Sequence, residues 1–66
     1  MKRDPMLRWF EYGHLPKGLQ SASKPFCELA EHVDRTLLQG PERDVVFRKL
    51  LEAKDAAVRC ALGDGG

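Results

Sequence analysis

The chain has 66 residues, of which 32% are charged, and its formal net charge is +1 at pH 7. A chain of this length forms one domain at most, and folding buries only about 60% of the surface that the unfolded chain exposes. The small net charge argues against a dedicated DNA-binding protein, because neutralising a run of phosphates requires a basic excess on one face. No apolar run approaches the ~20 residues that a membrane span needs, so no membrane partner is expected.

The two cysteines, Cys27 and Cys60, are too few for a disulfide framework. Each falls on an apolar helical stretch, where we expect a small buried side chain. The charged N-terminus lacks the apolar segment of a signal peptide, which favours a reducing cytoplasm. His14 and His32 lie too far apart for a local metal clamp, and we expect neither a metal nor a cofactor. A small scaffold without disulfides or a bound metal is expected to gain stability from neighbouring subunits.

Residues 1–18 are predicted to form an irregular arm, because prolines and glycines interrupt them repeatedly. Disordered tails rarely carry three aromatic residues so close together, so we expect the arm to pack against the rest of the chain. For Trp9 and Phe10 we therefore favour a packing role, in which the two side chains form a hydrophobic lid on the helical hairpin. Tyr12 precedes Gly13, where the backbone can approach a ligand closely, and both packing and ligand stacking remain open for this side chain.

Helix one is predicted over about residues 24–39. A proline is unsuited to a regular helix interior, so the helix is expected to begin near Lys24, with Ser23 as its N-cap and Pro25 in its first turn. The apolar residues from position 19 onward follow steps of three and four, which is the spacing of one helix face. This face contains Leu19, Ala22, Phe26, Leu29, Ala30, Val33 and Leu37.

A tight turn is predicted between two antiparallel helices. Gly40 suits a left-handed cap at the end of helix one, and Pro41 suits the first position of helix two. So short a connection brings the helices into contact along their length. Helix two is predicted over about residues 41–62, and the glycine-rich residues 63–66 are expected to be a flexible tail.

Helix two carries apolar residues on more than one face. Its inner stripe is predicted to include Val46, Leu50, Ala53 and Ala57. A second set lies off that stripe and consists of Val45, Phe47, Leu51 and Val58. One hairpin cannot cover both sets, so helix two is expected to be the central element of a homo-oligomer. The predicted fold is an all-α, antiparallel two-helix hairpin with an N-terminal arm, forming a single domain over residues 1–66.

The residues give no support for catalysis. No Ser-His-Asp or Cys-His grouping is present, and a short hairpin encloses little volume, so the chain is not expected to be an enzyme. His14 could act as a general base or simply be a polar surface residue. The basic residues of helix two alternate with acidic ones, which is typical of a solvated face; they are Arg43, Arg48, Lys49, Lys54 and Arg59. In the arm, aromatic rings near Lys17 and Lys24 offer stacking surfaces and cations, which a nucleotide requires.

Four segments carry a family resemblance. Three are short: Tyr12-Gly13-His14-Leu15-Pro16, Ser23-Lys24-Pro25-Phe26 and Gly40-Pro41-Glu42-Arg43. The longest and most specific is Arg48-Lys49-Leu50-Leu51-Glu52-Ala53-Lys54-Asp55-Ala56-Ala57-Val58-Arg59. Over roughly residues 9–62, the chain resembles the small helical-hairpin domain shared by phage anti-CBASS and anti-Thoeris sponge proteins.

The resemblance implies a phage protein that acts in the cytoplasm of the infected bacterial host. Such proteins assemble into compact homo-oligomers, often hexamers, and bind cyclic nucleotide messengers without cleaving them. Cyclic dinucleotides, cyclic trinucleotides and cyclic ADP-ribose isomers are the implied ligands. Removal of the messenger keeps the effector of the antiphage defence inactive, which is immune evasion by sequestration.

The resemblance also implies ligand-binding residues at subunit contacts. Tyr12 matches an aromatic residue that stacks on a base, and Lys24 matches a lysine that reaches a phosphate. The other candidates adjoin Tyr12 or fall in the helix-two segment, where the basic side chains either contact ligand or pair with acids of another subunit. They are Gly13, His14, Arg48, Lys49 and Arg59. The alternative function is a helical adaptor that binds a protein partner or a nucleic acid.

Overall fold

The computed structural model describes residues 4–63, and all but the first residue of the predicted 63–66 tail lies outside them. A 3₁₀ helix at Pro5–Phe10 is followed by α1 at Lys17–Thr36 and α2 at Pro41–Ala61. The helices α1 and α2 pack against each other, and the part of the chain that the structure describes contains no strand. The predicted all-α class with two packed helices is therefore confirmed. None of the helices within residues 4–63 has the length and apolarity to cross a membrane.

The N-terminal arm is more regular than predicted, because Pro5–Phe10 forms a 3₁₀ helix. Asp4 caps this helix, and its Oδ1 accepts a 2.9 Å hydrogen bond from the Met6 N–H. Side chains three residues apart lie on the same side of a 3₁₀ helix, and Leu7 and Phe10 are both buried. Phe10 thus covers the hairpin as expected, whereas Trp9 is 51% exposed and does not belong to the core.

Helix α1 begins at Lys17, so the predicted start near Lys24 is wrong. The carbonyl of Pro16 accepts hydrogen bonds from Leu19 and Gln20 at 2.8 and 3.1 Å. The Gln20 side-chain amide also donates to the Leu15 carbonyl at 2.8 Å, which fixes the preceding turn. These bonds begin the helix before Pro25 is reached.

Pro25 therefore lies inside α1, and Ser23 is a buried interior residue rather than an N-cap. A proline interrupts the helix by removing its own N–H and by crowding the carbonyl four residues earlier. That carbonyl belongs to Ser21, an exposed residue that water can reach. The exposed position makes the interruption tolerable, which the sequence pattern alone did not indicate.

The backbone conformation of the connection between α1 and α2 also differs from the prediction. Leu37 ends α1 in an extended conformation, and its N–H donates to the Val33 carbonyl at 3.0 Å. Gly40 is extended rather than left-handed and serves as the N-cap of α2, which begins at Pro41. The chain has left the helix before it reaches Gly40, so the predicted glycine cap of helix one is wrong. Among residues 4–63, Gly63, with φ 93°, is the glycine in the left-handed region, and it directly follows the C-cap of α2.

The core lies where the 3₁₀ helix crosses the α1–α2 pair. Its buried apolar members are Leu7, Phe10, Cys27, Ala30, Val33 and Phe47. The rings of Phe10 and Phe47 are tilted by 51° with centroids 6.3 Å apart, a favourable aromatic arrangement. Cys27 is buried as predicted, but Cys60 is exposed, because it lies on the opposite side of α2 from Phe47.

The buried face of α2 is turned relative to the predicted stripe. Phe47 is fully buried and Leu51 packs partly against the core; Val46 and Leu50 of the predicted stripe also pack partly against it, whereas Ala53 is exposed. One residue of a helix corresponds to about 100° of rotation, so a shift from Val46 to Phe47 changes which face is inside. Phe47 and Leu51 of the second apolar set are thus used by the chain's own core, whereas Val45 and Val58 lie outside the core cluster.

Candidate functional site

A buried ionic cluster holds the arm in place. The Arg43 Nη2 donates to Asp4 Oδ2 and to Asp34 Oδ1, both at 2.8 Å, and Nη1 donates to the Leu37 carbonyl at 2.8 Å. Arg43 is only 7% exposed, so the interpretation of this residue as part of a solvated face is wrong. Two carboxylates supplied from outside α2 stabilise its charge there. We call Asp4, Asp34 and Arg43 the ionic cluster; it joins the arm, the end of α1 and the start of α2.

The charge state of Asp4 follows from these contacts. The Met6 N–H hydrogen bond lowers the pKa of the Asp4 carboxyl below its ordinary value of 3.8, and the hydrogen bond and charge of Arg43 lower this pKa further. Burial opposes both effects, but the net direction is downward. Asp4 is therefore ionised at neutral pH, and its ion pair with Arg43 anchors the start of the 3₁₀ helix.

The anchored arm and the C-terminal half of α2 enclose an open groove of about 440 Å³, which we call the basic groove. Residues of the arm and the following loop form one wall, and residues of α2 form the other. The lining comprises Arg8, Trp9, Glu11, His14, Leu15, Lys54, Asp55, Val58 and Arg59. Three basic side chains and two carboxylates line it, and this excess of positive charge favours an anionic ligand.

Not all cations of the basic groove are equally available. The Lys54 Nζ lies 3.0 Å from Asp55 Oδ1, and this pair is partly shielded because the lysine side chain is only 15% exposed. Neither Arg8 nor Arg59 forms a salt bridge within residues 4–63. The Arg8 guanidinium instead lies 4.6 Å from the centroid of the Trp9 ring, within the range of a cation–π contact. Two guanidinium groups and a half-exposed indole therefore face the solvent in one groove.

A second groove, of about 380 Å³, adjoins the first and shares Glu11 and His14 with it. Its remaining lining residues are Tyr12, Gly13, Cys27 and Glu31. The two carboxylates, Glu11 and Glu31, oppose a phosphate group by like-charge repulsion. We call it the acidic groove. Tyr12 is also partly buried and packs against the core, which leaves less of its ring for stacking than Trp9 offers.

The structure brings together some of the sequence-predicted site residues and separates others. His14 and Arg59 share the basic groove, whereas Tyr12 and Gly13 lie with His14 in the acidic groove. The other three predicted residues are exposed and line neither groove: Lys24 on α1, and Arg48 and Lys49 on α2. The Lys49 Nζ is 3.9 Å from Glu52 Oε1, a surface pair with little effect on stability.

Sequence reasoning missed the contributions of Arg8, Trp9 and Lys54 to the basic groove. The available signal was the Arg8-Trp9 dipeptide, which places a cation directly beside an aromatic ring in the arm. Lys54 gave no such signal, because its neighbours in sequence are those of a solvated helix face. Among residues 4–63, no group of three or more His, Cys, Asp or Glu side chains is placed to hold a metal ion.

Comparison with known proteins gives no identification for this chain. It matches no protein-family model, and no similar curated protein or solved structure was found. The resemblance to sponge proteins stays a prediction from the sequence segments that carry it.

Proposed function

We propose that this protein binds a cyclic nucleotide without cleaving it and so withdraws it from solution. The observation that supports this most directly is the basic groove, where a half-exposed Trp9 stands beside Arg8 and Arg59. A base can stack on an indole, and such stacking contributes about 1–3 kcal/mol per base. A guanidinium group can hold a phosphate through two parallel hydrogen bonds, which makes arginine well suited to this ligand.

The proposal includes a biological setting taken from the sequence resemblance. The protein is encoded by a phage and acts in the cytoplasm of the infected bacterium, where it lowers the free concentration of a defence messenger. Binding alone suffices for this role, provided that the protein is present in at least the amount of the messenger. The similarity of the helix-two segment to sponge proteins and the anion-favouring groove both support this setting.

We also propose that the working form is a homo-oligomer, with the hexamer of the resembling family as the expected size. Several large apolar side chains are substantially exposed in the single chain, and contacts between subunits could cover them. Apart from Trp9, which is assigned to the ligand, they are Leu29, Leu37, Leu38 and Leu62. In this proposal a subunit that covers Leu62 also approaches Arg59, which lies one helical turn earlier in sequence and lines the basic groove.

The first test is isothermal titration with cyclic dinucleotides, cyclic trinucleotides and cyclic ADP-ribose isomers, followed by chromatography of the recovered ligand. Tight binding with intact ligand is the expected result. Trp9→Ala and Arg59→Ala should each weaken binding, whereas Arg35→Ala, which removes an exposed arginine outside both grooves, should not. Absence of binding across the panel would contradict the proposal, and recovery of a cleaved product would contradict its non-catalytic part.

The same titrations distinguish the basic groove from the residues suggested by the resemblance. Tyr12→Ala and Lys24→Ala should weaken binding if the ligand occupies the predicted family positions. Trp9→Ala and Arg59→Ala should weaken it if the ligand occupies the basic groove of the single chain. A loss confined to the first pair would assign the site to Tyr12 and Lys24.

The adaptor function remains the second candidate, and the turn between the helices favours it. Leu38 is 93% exposed and Leu37 is 44% exposed, so this turn presents adjacent apolar side chains of the kind that a protein partner would cover. Salt separates a nucleic-acid adaptor from a sponge, because polymer binding weakens steeply as salt rises in proportion to the phosphates neutralised. A stacked small ligand with two phosphates should respond only gently.

A further inference from the structure

Arg8 and Trp9 are adjacent in the 3₁₀ helix and contact each other in the basic groove. The Arg8 guanidinium carbon lies 4.6 Å from the centroid of the Trp9 ring, which places the guanidinium over a face of the indole. Both residues line the groove, and both are exposed. In the unliganded protein, the cation therefore occupies a surface that a base would need for stacking.

The Arg8 contact is weak enough to exchange. A cation–π interaction at an exposed site contributes only about a two- to fivefold preference. A charge-assisted hydrogen bond from the guanidinium to a phosphate is stronger than this cation–π contact. Within residues 4–63 no carboxylate forms a salt bridge with Arg8 that would hold it elsewhere. A phosphate in the groove is the group best able to draw Arg8 away from the indole.

We propose that Arg8 makes base stacking on Trp9 conditional on a phosphate group. The phosphate of the ligand takes the guanidinium from the ring, and the base then stacks on the freed indole. An uncharged nucleoside must displace the same guanidinium without offering it an anion, so it binds poorly. Arg8 is thus a specificity-determining residue that selects nucleotides over nucleosides; this inference rests on the proposed function.

Other charged side chains of the basic groove also act on the phosphate of the ligand. Glu11 and Asp55 also line the basic groove, but Asp55 is paired with Lys54 at 3.0 Å. Arg59 supplies a second guanidinium from the opposite wall. Arg59 can therefore hold the phosphate while Arg8 moves away from the indole. The ligand is then bound at its phosphate by the guanidinium groups and at its base by Trp9.

The test compares adenosine with 5′-AMP, which differ only in the phosphate. Trp9 is the single tryptophan of the chain, so its fluorescence reports binding directly. In the wild-type protein, 5′-AMP should bind more tightly than adenosine. In Arg8→Ala, the affinity for 5′-AMP should fall about tenfold or more, since a hydrogen bond to a charged group is lost, whereas the affinity for adenosine should rise about two- to fivefold. Arg35→Ala is the matched control and should change neither affinity.

A second measurement does not require nucleotide binding. Quenching of Trp9 fluorescence by acrylamide, a neutral quencher, reports how much of the indole the solvent reaches. Arg8→Ala should increase this quenching in the unliganded protein, and inorganic phosphate should increase it in the wild-type protein but not in Arg8→Ala. Equal quenching of the wild-type protein and Arg8→Ala would overturn the inference, because Arg8 would then not cover the ring.

The outcomes separate the two proposals. If the wild-type protein binds 5′-AMP but Arg8→Ala leaves the adenosine affinity unchanged or lowers it, the conditional role of Arg8 is overturned and the proposed function stands. If the wild-type protein binds neither probe nor any cyclic nucleotide, the proposed function fails, and the selection by Arg8 fails with it. Opposite changes in the two affinities, with unchanged values in Arg35→Ala, would support both proposals.

Discussion

Ser23 is an unusual residue for the middle of a helix. Its side chain is fully buried in α1, and its Oγ has no hydrogen-bond partner. A buried polar group without a partner costs about 1–3 kcal/mol, because it gives up its hydrogen bonds to water. We expect Ser23→Ala to raise the free energy of unfolding by about 1 kcal/mol, measured by urea denaturation followed by circular dichroism.

The sign of this change distinguishes the observed helix from the predicted one. If Ser23 were the N-cap of a helix beginning near Lys24, its replacement by alanine would lower stability by about 1 kcal/mol. Ser21→Ala is the control, because Ser21 is exposed and its Oγ makes only a long 3.4 Å hydrogen bond to the Gly18 carbonyl. A loss of stability confined to Ser23→Ala would favour the later helix start.

Asp4 gives a prediction that depends on pH. Its pKa is lower in the folded chain than in the unfolded chain, so its contribution to stability is fully present above the unfolded pKa of 3.8. The contribution is lost as the pH falls through the lower folded pKa. Asp4→Asn should lower the free energy of unfolding by about 1.5–3 kcal/mol at pH 6, because a charge-assisted hydrogen bond to Arg43 is lost.

The difference between Asp4→Asn and the wild-type protein should shrink as the pH falls below about 4, because the Asp4 carboxyl of the unfolded chain then takes up a proton, and it should be smallest once the folded carboxyl is protonated too. Urea denaturation at several pH values measures this difference. Glu28→Gln, at an exposed position of α1, is the control and should change stability little at any of these pH values. A difference that stays constant between pH 6 and pH 3 would show that the charge of Asp4 does not contribute.

At the same scale, Arg43 shows why some contacts were not predictable. Its partners Asp4 and Asp34 lie 39 and 9 residues away, and only the finished fold brings them together. A local pattern assigns an arginine among acidic residues to the surface, since isolated buried charges are costly. Phe47 lies on the same face of α2 as Arg43. The assignment of Arg43 to the surface therefore also weakened the sequence signal for Phe47 as a core residue.

At the level of the helices, the interior Pro25 yields the clearest test. Pro25→Ala should stabilise α1 by about 1–3 kcal/mol, because alanine can donate its N–H to the Ser21 carbonyl and is the better helix former. Thermal or urea unfolding measures the change. Pro41→Ala is the matched control: Pro41 is the first residue of α2, where a proline leaves no helical hydrogen bond unmade. Equal, small effects of both substitutions would indicate that the helix begins near Pro25.

The helices also show how much of the fold the spacing of apolar residues could predict. Proline and glycine positions correctly predicted two helices and the start of α2 at Pro41. The start of α1 was missed, because proline was assumed to exclude a helix interior. The inner face of α2 was predicted only in part: Val46 and Leu50 do pack against the core, but its centre is the fully buried Phe47, since Val46 and Phe47 fit apolar spacings almost equally well. Only the packing of Phe47 against Phe10, a residue of the arm, determines which of these faces is buried.

For the whole molecule, the basic groove depends on a contact that no local pattern contains. The ionic cluster fixes the arm at Asp4, and the arm then places Arg8 and Trp9 opposite Arg59 on α2. Sequence reasoning could suggest an aromatic-and-cation site in the arm, but it could not pair Trp9 with the end of α2. The groove and the ionic cluster are thus linked: loss of the Asp4 anchor should disturb the wall that carries the proposed stacking residue.

Assembly is the remaining prediction for the whole molecule. A chain of 66 residues has a small core, and Leu38, at 93% exposure, adds little to the stability of the single chain. If subunit contacts supply the missing burial, the unfolding midpoint should rise with protein concentration, because association stabilises the folded chain by mass action. Sedimentation at micromolar concentration should give a mass several times that of one chain.

The exposed leucines allow the contact surface to be located. Leu38→Ser should hardly change the folding of a single chain, so a shift to lower sedimenting mass would assign the turn between α1 and α2 to a subunit contact. Leu62→Ser tests the C-terminal end of α2 in the same way, since Leu62 is also exposed. A folded monomer at micromolar concentration, with an unfolding midpoint independent of concentration, would contradict assembly. The basic groove of the single chain would then have to hold the ligand alone, so nucleotide affinity would depend on Trp9 and Arg59 but not on protein concentration.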